Sequence, residues 1–283
     1  MSKNDCCPPK STDSSTHVEA DAVRQRVRED YEKVAKAETA GSEEGIAQSC
    51  CGVSDDNQIN ALISTRLGYS EDDLKAVPQG ADMGLGCGNP RAIASLKEGE
   101  VVVDLGSGGG FDCFLAAPEV GATGSVIGID MTPEMISKAR ANAAKGNFGT
   151  VEFRLGEIEH MPVGDDTADV IISNCVINLS PDKAQVFQEA FRILKPLGRL
   201  AISDVVATAE LPEEMRSDKE LFSGCMAGAM EIGELAQVMR DAGFTDVRIE
   251  PKDESREFIR DWAPGRDVQD YVVSATIEGI KPA

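Results

Sequence analysis

From residue 101 onward the chain alternates short apolar runs with helix-forming stretches, and this rhythm limits its fold more than any other feature. The runs are VVVDL, SVIGID, TVEFRL, ADVIISN and GRLAISDV. Between them lie helical stretches after Gly110, over 133–145 and over 181–194. Strands with no polar alternation are buried on both faces, and a strand–helix–strand repeat builds a parallel sheet covered by helices on each side. The expected fold is α/β: a Rossmann-like, doubly wound, mostly parallel sheet. Residues 211–243 read as helical again. Two closing strands are expected near 246–251 and 270–280, with EFIRDWAPG between them, which brings the sheet to seven strands.

The part ahead of residue 101 is helical in character. Residues 1–16 are polar, with Pro8 and Pro9, and read as a mobile tail. Over 18–40, Val23, Val27, Tyr31 and Val34 recur at three- and four-residue steps, the mark of an amphipathic helix laid on a larger body. Further helices are expected over 55–67 and 71–76, the latter with Ser70 as N-cap. The organisation predicted is a tail (1–17), a helical segment carrying a Cys-Cys loop (18–78), a cofactor-binding core (79–205), and an acceptor cap with the closing strands (206–283).

Charge narrows the partners. A formal net charge of -21 opposes nucleic acid, whose phosphates need Lys and Arg, and it opposes an anionic membrane surface. The opening MSKNDCCPPK lacks the apolar stretch of a secretory signal, and the longest apolar run, near 170–179, is too short to span a bilayer. A cytoplasmic location is expected, where the eight cysteines stay mostly as thiols.

The sharpest motif is VVVDLGSGGG at 101–110. A buried strand runs into glycines at 106, 108 and 110 and then into a helix, so backbone can approach a ligand near an electropositive helix end. The dinucleotide fingerprint G-x-G-x-x-G would need a third glycine where Phe111 stands. No lysine follows in the nucleoside-triphosphate arrangement. A second acid, Asp130, ends the next run, where a carboxylate can accept from both ribose hydroxyls or cap the following helix. The D-x-G-x-G form resembles motif I of class I S-adenosylmethionine methyltransferases. That resemblance implies that Asp104, Gly106, Ser107, Gly108 and Gly110 hold the methionine end of S-adenosylmethionine. It also implies that Asp130 with the adjacent Met131 serves the ribose, that Ile158 and Glu159 serve the adenine, and that Asn174 contacts the cofactor backbone. Of the two histidines, His17 falls in the tail and His160 reads as exposed or at the cofactor's edge.

Methyl transfer from a sulfonium to oxygen or nitrogen usually needs a general base. The segments expected to face the cofactor carry thiols instead: Cys87 in GLGCGNP, Cys175 in SNCVINL and Cys225 in LFSGCMAGAM, with Cys50-Cys51 in QSCCGV ahead of them. Thiolates select soft, thiophilic centres. The strings CCGV, GCGNP, SNCVINLSPDK, and SDV followed by ELPEEMR and GCMAGAM, resemble those of arsenite methyltransferases. The resemblance implies that Cys87, Cys175 and Cys225 bind As(III), with Cys51, or its neighbour Cys50, as a fourth, redox-active thiol. It also implies a thioredoxin or small-thiol reductant as partner. Cys113 reads as a small core residue, and Cys6 and Cys7 as tail residues that could capture metal. Many members carry aromatics just ahead of GCG, where this chain has Asp82-Met83-Gly84-Leu85. Two other readings stay open: a methyltransferase of a small organic acceptor such as a quinone, and a non-catalytic thiol-rich metalloid-binding protein.

Overall fold

The computed structural model describes residues 14–40 and 56–283. A long helix α1 (Ser14–Ala40) is followed by α2 (Asp56–Arg66), α3 (Glu71–Ala76) and the short α4 (Arg91–Ala94). Then come β1 (Val101–Leu105), α5 (Phe111–Val120), β2 (Ser125–Asp130), α6 (Pro133–Gly146), β3 (Val151–Leu155) and β4 (Ala168–Asn174). The chain continues through α7 (Lys183–Ile193), β5 (Leu194–Ala207), α8 (Glu213–Arg216), α9 (Lys219–Ser223) and α10 (Ile232–Asp241). It closes with β6 (Thr245–Lys252), α11 (Arg256–Trp262) and β7 (Val272–Ile280).

The seven strands form one sheet in the order β3-β2-β1-β4-β5-β7-β6. Pairing is parallel from β3 through β5, and β7 alone runs against its neighbours β5 and β6. The period of two along each strand sends alternate residues to opposite faces. Val103, Leu105, Ile127, Ile129 and Ile171 join one core with Val186, Phe187 and Ile193 of α7 and Leu235 and Met239 of α10. Val102, Val126, Val170 and Ile172 join the other, with Cys113 and Phe114 of α5 and Ile136 and Ala139 of α6. Burial on both faces is why these strands read as unbroken apolar runs. The chain reverses its direction of travel across the sheet between β1 and β4, and the carboxyl ends of strands at such a switch point frame a crevice.

Local signals hold in detail at α3, where Ser70 and Asp73 form a reciprocal capping box. Elsewhere the structure revises the expected elements. Helix α1 begins at Ser14, inside the stretch read as tail. The stretch 211–243 is three helices with a non-helical loop at 224–231, because Gly228 sits against the carbonyl of Asn178, an approach that leaves no room for a side chain. The last strand starts at Val272, after a 3-10 turn over Val268–Asp270. Cys6, Cys7, Cys50 and Cys51 lie outside the described residues. Among the described residues, no helix is long and apolar enough to cross a membrane.

Candidate functional site

Strand β1 delivers the chain into a turn whose shape only glycine tolerates. Gly106 has φ +69, and a methyl group there would overlap Val176 at the end of β4. The turn closes by Gly106 N–H and Ser107 N–H donating to Ile129 O at 2.8 and 2.9 Å. Gly108 N–H donates to Asp130 Oδ2 at 3.0 Å, and Thr132 N–H donates to Asp130 Oδ1 at 2.8 Å. Asp130 thus ties the turn to the start of α6, and its carboxylate keeps acceptor capacity for a further donor.

This turn forms one wall of a cleft that is partly open to solvent. Asp104, Gly106, Ser107, Gly108, Asp130, Met131, Ile158, Glu159 and Asn174 all line it, together with Cys175. Gly110 stands just behind the wall as the residue that leads into α5. Burial raises the carboxyl of Asp104 well above its ordinary value, and neighbouring Asp112 adds to the effect. Burial likewise raises Asp112 to about 6. Ser107 Oγ is buried without a hydrogen-bond partner, and the space around the position of a Gly108 Cβ is open to 4 Å. An orphaned hydroxyl beside a side-chain-free turn suits a polar ligand such as the amino-acid end of S-adenosylmethionine. His160 is exposed, and Cys113 is fully buried with its thiol on Asp104 Oδ2 at 3.2 Å.

Helix α1 roofs the cleft, which its apolar periodicity did not specify. Arg24 Nε donates to Glu159 Oε1 at 3.1 Å, and Arg28 Nη2 to Glu157 Oε1 at 2.7 Å. Tyr31 Oη reaches Ser223 O at 3.4 Å, and Ser223 Oγ donates to Asp30 Oδ2 at 2.8 Å. One helix therefore touches both Glu157 and Glu159 and the segment that leads to Cys225.

Three of the four cysteines expected at the acceptor end come together here. The sulfurs of Cys87 and Cys175 lie within 4.8 Å of one another, and Cys225 packs in the same buried cluster. Cys225 Sγ also donates to Cys175 O at 2.7 Å. All three are buried, at 1%, 6% and 3% exposure for Cys87, Cys175 and Cys225. Desolvation pushes Cys87 up to about 11 and also raises Cys175 well above the ordinary thiol value. Cys225 is raised first by its bond with Cys175 and then by burial. Cys175 and Cys225 have φ of +60 and +63, a left-handed conformation that costs a non-glycine residue on the order of 1–3 kcal/mol. The two strained positions are joined by the bond from the Cys225 thiol to the Cys175 carbonyl.

The GCG stretch around Cys87 is pinned by groups far away in sequence. Asn174 Oδ1 accepts from Cys87 N–H at 3.0 Å, and Asn174 Nδ2 donates to Gly88 O at 2.8 Å. Ser274 Oγ donates to Cys87 O at 2.6 Å. A side chain at Gly88 would overlap Ser203 Oγ, so the glycine permits this approach. Behind Asn174, Tyr69 Oη donates to Asp112 Oδ1 at 2.6 Å and lies 3.0 Å from Asn174 Nδ2, with Asp112 Oδ2 at 3.3 Å. Both polar atoms of the Asn174 amide thus have protein partners that set the Cys87 loop, and the residue also lines the cleft. Tyr69, Asp112 and Arg24 carried no motif that would have singled them out. Asp204 sits in the quoted SDV string, but only the fold shows it beside the thiols.

The fold and this cleft define a class I S-adenosylmethionine-dependent methyltransferase. A family profile for a methyltransferase domain matches residues 96–243. The arsenite methyltransferase of Halobacterium salinarum is 52% identical over 98% of this chain and 72% of its own length. The human arsenite methyltransferase is 41% identical over 58% of this chain, and the match spans only 46% of the human protein. Among solved structures, the arsenic(III) S-adenosylmethionine methyltransferase of Chlamydomonas reinhardtii aligns with a TM-score of 0.58 and 34% identity, over 78% of this chain and 73% of that one. The chain belongs to the arsenite methyltransferase family.

Proposed function

We propose that this protein methylates trivalent arsenic held by the thiolates of Cys87, Cys175 and Cys225. The observation that carries this reading is the meeting of three buried cysteines beside the strand ends that frame the cleft. S-adenosylmethionine supplies, when bound, a methyl carbon made electrophilic by its sulfonium. Asp104 and the turn from Gly106 to Gly110, with Ser107, hold the methionine end. Asp130 and Met131 receive the ribose, and Ile158 and Glu159 border the adenine. Asn174 fixes the Cys87 loop, so that the acceptor faces the methyl group.

The chemistry then needs no general base. Condensation of arsenite with three thiols passes each thiol proton to a departing hydroxide, which leaves as water, so the raised thiol pKa values do not obstruct binding. Arsenic held by three sulfurs keeps its lone pair and attacks the methyl carbon, while the sulfonium sulfur keeps the electron pair of the broken bond. Arsenic passes from the trivalent to the pentavalent state. Two thiols return it to the trivalent state by giving up two electrons as one disulfide bond forms. Cys51, or Cys50 beside it, is the proposed fourth thiol in this exchange. A dithiol of the thioredoxin class or a small thiol reopens the disulfide. A cytoplasmic location supplies such reductants.

The test is incubation with S-adenosylmethionine, arsenite and a thiol reductant, followed by speciation of arsenic and measurement of S-adenosylhomocysteine. Methylated arsenic is expected from the wild type. Cys175→Ser and Cys225→Ser are expected to lose methylation while S-adenosylmethionine still binds in calorimetry. Full activity in either variant would remove the assigned role. Stoichiometric arsenite binding without release of S-adenosylhomocysteine would mark a non-catalytic binder instead.

A further inference from the structure

The acceptor pocket contains a donor that a trithiolate does not use. A carboxylate oxygen of Asp204 and the sulfurs of Cys87 and Cys175 all lie within 4.8 Å of one another. Asp204 enters from β5 and is 2% exposed. Three N–H groups fix its orientation: Ile177 N donates to Oδ2 at 2.9 Å, and Asn178 Nδ2 and Val205 N donate to Oδ1 at 2.9 and 2.7 Å. A carboxylate has about four acceptor positions, so one on Oδ2 stays free. Cys225 is not part of this close set, because its thiol is turned toward Cys175 O.

The two donor sets suit different ions. Trivalent arsenic is satisfied by three soft sulfurs, to which a hard carboxylate adds little. Zinc, and its softer congener cadmium, accept mixed sulfur and oxygen ligands in four-coordinate sites. We propose that Cys87, Cys175 and Asp204 form a buried three-donor site for a thiophilic divalent cation of the zinc class, and that such a cation competes with arsenite for the two shared thiols. This rests on the reading of Cys87 and Cys175 as arsenic ligands. On binding, each of the two thiols gives up its proton to solvent, and two thiolates with one carboxylate leave a net charge of minus one around the dication. Lys183, whose charge interacts with Asp204 and Cys225, offsets that remainder. The fourth coordination position is left for water.

Cd2+ and Zn2+ alone, titrated into the full-length reduced protein, test this. The cadmium–thiolate charge-transfer absorbance and calorimetry report binding, and a Cys87→Ser/Cys175→Ser double variant gives the background from the other cysteines. The wild type is expected to show one equivalent above that background, and Zn2+ to inhibit methylation competitively with arsenite. Asp204→Asn is expected to weaken cation binding by at least about tenfold, the scale on which metal sites respond to lost partners, with arsenite affinity changed less than about threefold. Cys225→Ser is expected to do the reverse, losing arsenite and keeping the cation. No equivalent above background, unchanged cation affinity in Asp204→Asn, or equal loss of both ions in Cys225→Ser would each overturn the proposal. Should Asp204→Asn fail to fold, Cys225→Ser decides alone. A wild type that binds Cd2+ at this site but not arsenite keeps the cation site and removes the arsenite reading, so the two can fail separately.

Discussion

The two ends of the cleft are built by opposite means. The end proposed for the cofactor is shaped chiefly by one piece of chain, residues 101–132, through main-chain N–H groups and glycines, with Ile158 and Glu159 bordering it. The end proposed for the acceptor is assembled from side chains far apart in sequence. The contacts of Cys87 with Asn174, Ser203 and Ser274 span 87, 116 and 187 residues, and Cys225 reaches Cys175 across 50. Left-handed backbone occurs at both ends. At Gly106, Gly108 and Gly110 the absence of a Cβ makes it inexpensive, whereas Cys175 and Cys225 carry the strain themselves. A site made of backbone tolerates side-chain change but not a Cβ in its turn. A site made of sulfur depends on the hydrogen bonds that aim it.

That contrast can be broken most directly at Gly106. The substitution Gly106→Ala puts a Cβ against Val176 at φ +69, and should weaken S-adenosylmethionine binding by roughly a hundredfold, the equivalent of about 2–3 kcal/mol. Arsenite binding, followed by calorimetry, should change only a few-fold. Equal damage to both ligands would mean that the two ends are not separable. The complementary change, Asn174→Ala, orphans Cys87 N–H and Gly88 O. Leaving a buried polar group unpaired costs about 1–3 kcal/mol, so arsenite affinity should fall by about tenfold or more. S-adenosylmethionine affinity should stay within about threefold of wild type, a bound set well below the loss of one net hydrogen bond to a charged group. A variant that lost mainly the cofactor would assign Asn174 to cofactor contact, which its place in the cleft lining allows. Tyr69→Phe, one step further back in the same chain of bonds, should give the same pattern at roughly a fifth to a half of wild-type arsenite affinity, the size of one ordinary hydrogen bond.

The smallest expected effect is on stability against pH, and it involves both ends. Asp112 at the cofactor end and Asp204 at the acceptor end are each raised to about 6 by burial. Unfolded, such carboxyls titrate near 4, at about 3.9. The folded protein therefore takes up these protons first, and the stability they contribute is complete below about pH 4 and lost as pH rises through about 6. The unfolding midpoint should rise on acidification from pH 7.5 to about 5.5. Paired acids with lowered values, such as Asp73, Glu189 and Asp218, oppose this only at lower pH, where they begin to protonate. Asp112→Asn and Asp204→Asn should each flatten the profile. Flattening by one alone would assign the effect to one end.

The sequence by itself determined the sheet, because burial on both faces writes itself as unbroken apolar runs and the glycine turn is a local conformational requirement. It also displayed the cysteine-bearing strings CCGV, GCGNP and NCVINL, on which the proposed acceptor chemistry rests. Its boundaries slipped where tertiary contact overrode local preference, as at the 224–231 loop, where close approach to Asn178 breaks an otherwise helical stretch. Only the tertiary structure decided that α1 roofs the cleft, that Asn174 faces the Cys87 loop, and that Asp204 stands beside two thiols. Two of those relations join Arg24 to Glu159, 135 residues apart, and Asn174 to Cys87, 87 residues apart. Side-chain proximity of that kind leaves no periodicity or spacing along the chain; it arises only when the strands are ordered and their ends meet.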